Sequence, residues 1–192
     1  MGEALTEPDP WWSYKPPGEW TFEDLHVIPY HHIDLIDGVP HVMVTSPYHD
    51  RVVDRLLRIL EDLAPADAVV MREKSVRMRR NSGRNRPEPD VLIINADAFS
   101  LRRSVYDPTD VLLAVEVVSP ESTERDRVIK PALYADSGIP HLWRIEESPD
   151  ERPVVYAYEL VEGSYGNERV FADRVEVNAP FRIGFDITAI TP

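Results

Sequence analysis

Apolar residues at Val52, Val53, Leu56, Leu57, Leu60 and Leu63 recur at a helical period, and Ser46-Pro47 ahead of them opens the helix. Before it, Ile33-Asp34-Leu35-Ile36-Asp37-Gly38-Val39 reads as two short strands joined at Asp37-Gly38, a dipeptide suited to tight hairpins. Val69–Met78 and Asp90–Ile94 read as strands on either side of the basic stretch Arg79–Arg86. Val111–Val118 is apolar on both faces, as a central strand covered on both sides must be. A helix is predicted from about Thr123 to Ser137, ended by Gly138 and Pro140. Strands follow at Ile139–Ile145 and Val154–Leu160, and a β-rich tail has turns at Glu162-Gly163 and Tyr165-Gly166-Asn167. Strand, helix and strand in the middle with hairpins at both ends describe a mixed-sheet α/β (α+β) domain.

The first residues follow a different rule. Pro8, Pro10, Pro16 and Pro17 among Trp11, Trp12 and Trp20 block helix and favour an extended arm. We therefore divide the chain into an arm, residues 1–21, and a domain, residues 22–192. Three of the four tryptophans lie in the arm, so it packs on its own domain or on a second copy, and a homodimer through the arm is one expectation.

Composition narrows the chemistry. The chain has 192 residues and a net charge of −13, which argues against wholesale coating of nucleic acid but leaves room for a local basic groove. Cysteine is absent, which removes disulfides, thiolate metal sites and a thiol nucleophile. No apolar run approaches the ~20 residues of a membrane span, and no signal peptide opens the chain, so a cytoplasmic protein without membrane partners is expected.

Glu116 is the odd residue of its strand, one carboxylate among seven apolar neighbours. Burying it ionised costs several kcal/mol unless a cation, a metal or a cleft awaits it, so a structural ion pair and a functional site are both open readings. Asp90, after Pro89, opens another strand, and two carboxylates entering adjacent central strands can converge on a hard cation such as Mg²⁺. On the following helix Asp126 and Lys130 are four apart and share a face with Tyr134. The plainer reading there is a Thr123–Asp126 capping box and a solvated lysine, and Pro131 is expected to weaken that helix.

The order Asp34-Leu35-Ile36-Asp37-Gly38, Ser46-Pro47-Tyr48-His49, Pro89-Asp90-Val91, Val115–Pro120, Asp126…Lys130…Tyr134 and Gly138–Trp143 resembles the Uma-type putative restriction endonuclease family of the PD-(D/E)XK nuclease-like superfamily. The resemblance runs from about Phe22 to the C-terminus. It implies a restriction-endonuclease-like core with flanking helices and metal-dependent cleavage of DNA. Asp90 and Glu116 would ligate Mg²⁺ or Mn²⁺, with the Val117 carbonyl as a third ligand. The superfamily usually places a lysine two residues past the glutamate, where this chain has Val118; the Uma-type pattern moves it to the next helix, at Lys130. His49 matches a family histidine, and the helix dipole at its position is expected to favour the neutral ring.

Residues 72–86 hold seven basic side chains against Glu73 alone and lead into Asp90. Arg77, Arg79, Arg80, Arg84 and Arg86 are the candidates for phosphate contacts. The rival to a nuclease is a catalytically inactive nucleic-acid- or protein-binding module that keeps the fold.

Overall fold

The computed structural model describes residues 10–78 and 83–192, so Arg79 and Arg80 lie outside the described residues. The hairpin forms as read, with strand β1 (Ile33–Ile36) antiparallel to β2 (Val39–Val42). Asp37 and Gly38 both take positive φ, 48° and 74°, as a type I′ turn requires. Helix α1 (Pro47–Leu63) begins with Pro47 in its first turn and Ser46 as cap, whose side chain accepts from the His49 N–H at 3.2 Å. Strand β3 (Ala68–Arg72) follows, then β4 (Ser75–Val76), β5 (Val91–Asn95), β6 (Val105–Tyr106) and β7 (Val111–Val117).

A π-helical turn, Arg125–Ile129, runs into α2 (Lys130–Asp136). The C-terminal part contributes β8 (His141–Glu147), β9 (Pro153–Val161), β10 (Ser164–Phe171), β11 (Arg174–Val177) and β12 (Ile183–Asp186). Six strands form one mixed sheet in the order β10-β9-β8-β7-β5-β3, in which β7 and β8 are parallel and the other pairs antiparallel. The predicted central strand is thus central, and α2 is its crossover to β8.

Alternation along the strands feeds two cores. Val91 and Ile93 of β5 and Leu113, Val115 and Val117 of β7 pack with Val52, Val53, Leu56 and Leu60 of α1 and with Val175 and Phe185. Leu92, Ile94, Ala114 and Leu142 face the other way, toward Tyr134, Met78 and Tyr106. Glu116 lies two residues past Ala114, so it points into this second layer, where α2 lies.

Residues 18–20 pack against the first hairpin and the turn that follows them. Trp20 is buried with Leu25, Ile28, Ile33 and Leu35, and the Gly18 and Trp20 N–H groups donate to the Gly38 carbonyl at 2.9 and 3.2 Å.

Three expectations are corrected. Val69–Met78 is two strands, because Glu73 takes φ 52° and turns the chain out of the ladder. Tyr165-Gly166-Asn167 lies inside β10 as a bulge, with the register shifting between Gly166 and Arg169 and Asn167 at φ 51°. The Thr123–Asp126 capping box does not form: the Thr123 hydroxyl donates to the Ser119 and Pro120 carbonyls. The Lys130 N–H reaches back five residues to the Arg125 carbonyl, which widens the helix just before the proline ring would meet a backbone carbonyl. Among the described residues no helix is long and apolar enough to cross a membrane.

Candidate active site

Because β5 and β7 are antiparallel, the start of one meets the end of the other. Asp90 therefore arrives beside Val117, and its Oδ2 accepts the Val117 N–H at 2.7 Å. Its Oδ1 lies 3.0 Å from His49 Nε2, brought in by the first turn of α1. From the other side α2 delivers Lys130, whose Nζ lies 2.8 Å from Glu116 Oε2, 2.9 Å from Asp34 Oδ2 and 3.1 Å from Asp126 Oδ1. The Tyr134 hydroxyl donates to Glu116 Oε1 at 2.5 Å. Glu116 and Lys130 are each only 1% exposed.

His49, Asp90, Glu116, Val117, Asp126 and Lys130 line a pocket of about 380 Å³. Its rim is the β2–α1 connection, Arg125 of the π turn and Trp11 of the arm.

Burial works against charge on Lys130, but Asp34, Glu116 and Asp126 around it hold its pKa well above the usual lysine range, so it stays an ammonium. Burial raises the Glu116 carboxyl well above its ordinary value against the pull of Lys130, and the neighbouring carboxylates add to the rise. Asp126 is raised in the same way. Burial and the Glu116 charge push Tyr134 up, which keeps its hydroxyl protonated as a donor.

The expectation for His49 is overturned. Burial disfavours its charged form, yet the hydrogen bonds and charges of Asp90 and then Asp50 together outweigh burial and raise its pKa.

Asp34, Asp90, Glu116 and Asp126 are four buried carboxylates, and the buried cations beside them are Lys130 and, when protonated, His49. The carboxylates outnumber the cations among these groups. The available donors are hard oxygens: two carboxylates, which retain free lone pairs, and the carbonyl of Val117. Among the described residues no three His, Asp or Glu side chains group as ligands to one ion. An ion that keeps most of its waters, as Mg²⁺ does, fits such a set.

The described arginines of the basic stretch lie elsewhere. Arg77, Arg84 and Arg86 do not line the pocket. Arg77 is exposed and sits 4.2 Å over the Phe22 ring, Arg84 is exposed, and Arg86 reaches Glu88 at 3.4 Å.

The sequence reading did not place Arg125 or Trp11 at the site, and neither lies in a motif that would have marked it. Asp34 carried a signal in its polar break within an apolar hairpin strand. Its Oδ1 accepts the Glu88 N–H at 2.8 Å, which ties the hairpin to the segment that enters Asp90.

A putative nuclease of the DUF820 group from Anabaena variabilis has a similar structure, with a TM-score of 0.67 at 14% identity over 89% of this chain and 97% of that one. This likeness shows a shared nuclease-type fold. No curated protein matches the chain in sequence. The model of the Uma2 family, described as putative restriction endonuclease, matches residues 21–189, and the chain belongs to that family.

Proposed function

We propose that this protein is an endonuclease that cleaves DNA phosphodiester bonds with Mg²⁺ or Mn²⁺ held by Asp90, Glu116 and the Val117 carbonyl. The observation that carries the reading is the surplus of buried carboxylate around Lys130 at the base of an open pocket. Residues 22–192 would carry the chemistry and residues 1–21 would be the arm laid against them.

A divalent ion bound there supplies Lewis-acid charge to a phosphate oxygen and to the attacking water. The chain supplies the rest. Lys130, held charged by its three carboxylates, offers an ammonium to the negative charge that grows on the phosphate. Tyr134 fixes the orientation of Glu116, and His49 with the Val117 N–H fixes that of Asp90. The buried surroundings of these groups keep bulk water from screening them. Arg77, Arg84 and Arg86 would meet the phosphate backbone outside the pocket, and Arg79 and Arg80 of the same basic stretch would add phosphate contacts.

One observation favours the rival, a nucleic-acid-binding module that does not cleave: both Glu116 oxygens already have partners inside the protein. Incubating plasmid and linear DNA with the protein in Mg²⁺, Mn²⁺ or EDTA separates the two. Metal-dependent cleavage that Asp90→Asn abolishes is expected, and DNA binding without cleavage in either metal would support the rival.

A further inference from the structure

The carboxylate pocket contains two groups that the hydrolysis reading leaves idle. Trp11, in the arm and outside the stretch matched by the family model, lines the pocket. It meets Trp20 edge to face, with ring centroids 5.8 Å apart. Trp20 is itself anchored, its indole N–H donating to the Lys15 carbonyl at 3.0 Å. Trp11 is thus a ring held in place, and its own indole Nε1 is buried without a hydrogen-bond partner. Arg125, which lines the same pocket, donates from Nη1 to the Glu121 carbonyl at 3.3 Å, while its Nε is buried and unpartnered. Among the described residues no carboxylate pairs with this guanidinium.

We propose that Trp11 and Arg125 form a subsite for an unpaired nucleotide, with the base against Trp11 and its phosphate on Arg125. The substrate is therefore single-stranded or locally unpaired DNA. This rests on the reading of the pocket as a phosphodiester site.

Depth supports it. Asp90, Glu116 and Lys130 are all buried, so a phosphate must enter the pocket to reach them. A nucleotide held in a duplex cannot leave the stack without losing its pairing, and the duplex is stiff over ~150 base pairs. An unpaired strand bends freely, and aromatic side chains hold it by stacking on base faces of any sequence. Guanidinium donors match phosphate oxygens, and an arginine without an internal carboxylate is available to them.

The test uses the full chain and fluorescently labelled oligothymidylate, a duplex of the same length, and anisotropy in EDTA so that no cleavage intervenes. Single strand should bind at least about tenfold tighter than duplex, and Trp11→Ala should weaken single-strand binding by about tenfold while Trp11→Phe retains most of it. One abasic nucleotide scanned along the strand should weaken binding to the native protein at one position and have no effect on Trp11→Ala. Arg125→Ala should lower the salt slope by about 0.7, the value for one phosphate contact on a single strand, and it carries the test if Trp11→Ala fails to fold. Equal single-strand affinity for native protein and both alanine variants, or duplex bound as tightly as single strand, would overturn the subsite. Cleavage in Mg²⁺ is scored separately. The expected binding pattern without cleavage defeats the nuclease reading and leaves the subsite, whereas duplex cleavage unchanged in Trp11→Ala and Arg125→Ala defeats the subsite and leaves the nuclease.

Discussion

Lys130 Nζ lies 2.8 Å from Glu116 Oε2, and the same nitrogen serves Asp34 and Asp126, so one buried ammonium holds three carboxylates from three elements. The cluster is organised around the cation. Losing any one carboxylate leaves Lys130 partnered, but losing Lys130 takes the shared cation from all three.

Lys130→Met should therefore cost about 3–5 kcal/mol, the range for removing one partner of a buried pair. Carboxylates left together take up protons, so the loss should be greater at pH 8 than at pH 5. Urea denaturation at both values checks this, and a loss under about 1 kcal/mol at pH 8 would mean that the cluster is not held by its lysine.

Glu116→Gln removes a carboxylate whose pKa burial and then its acidic neighbours raise. A raised carboxyl stabilises the fold below its ordinary value and loses that contribution as pH rises through its folded value, so the substitution should cost little at neutral pH. It should, however, abolish stabilisation by Mn²⁺, which for a single site reaches about 2.7 kcal/mol at a hundred times Kd. Melting curves with and without Mn²⁺ decide the matter. A variant that melts much lower and still gains from Mn²⁺ would make Glu116 the half of a structural ion pair.

His49, raised by Asp90 and then Asp50 against the effect of burial, stabilises the fold fully below the ordinary value of 6.5 and loses that contribution as pH rises through its folded value. The stability difference between native protein and His49→Gln should shrink from pH 5.5 toward pH 9. A difference that grows over this range would show that the imidazole is neutral, as its place at the helix start suggests.

Gly38→Ala tests the seat of the arm. A Cβ at Gly38, with φ at +74°, would lie 2.4 Å from the Gly18 carbonyl oxygen. The left-handed conformation alone costs an alanine about 1–2 kcal/mol, and the contact must also open. Tryptophan emission should shift to the red as Trp20 meets water, and an unchanged spectrum would place the arm's anchor elsewhere.

Arg84→Ser should flatten the salt dependence of duplex binding by about 0.9 in log–log slope, and Arg77→Ser likewise. Serine in place of Arg86, which reaches Glu88, should change the slope less and stability more. Slopes unchanged from the native protein in all three would mean that these arginines serve only the surface.

Elements built from near neighbours were legible in the chain. The Asp37-Gly38 turn, the α1 stripe from Val52 to Leu60 and the doubly apolar β7 each follow from backbone preference or side-chain period over a few residues. Glu116 stood out for the same reason, since a single charge in an apolar strand needs no knowledge of its partner to be noticed. Other features depend on what lies across space. Glu73 breaks a ladder without a glycine to announce it, and Asn167 makes a bulge where the composition suits a turn just as well. His49 follows its dipole until Asp90, 41 residues on, arrives beside it, and the pairing of Arg86 with Glu88 shows only in the fold. Local order is written in period and propensity, which act between neighbours. The protonation of His49, the charge balance around Lys130 and the place of Trp11 at the pocket come from burial and Coulomb interactions, which depend on distances that only the folded chain sets.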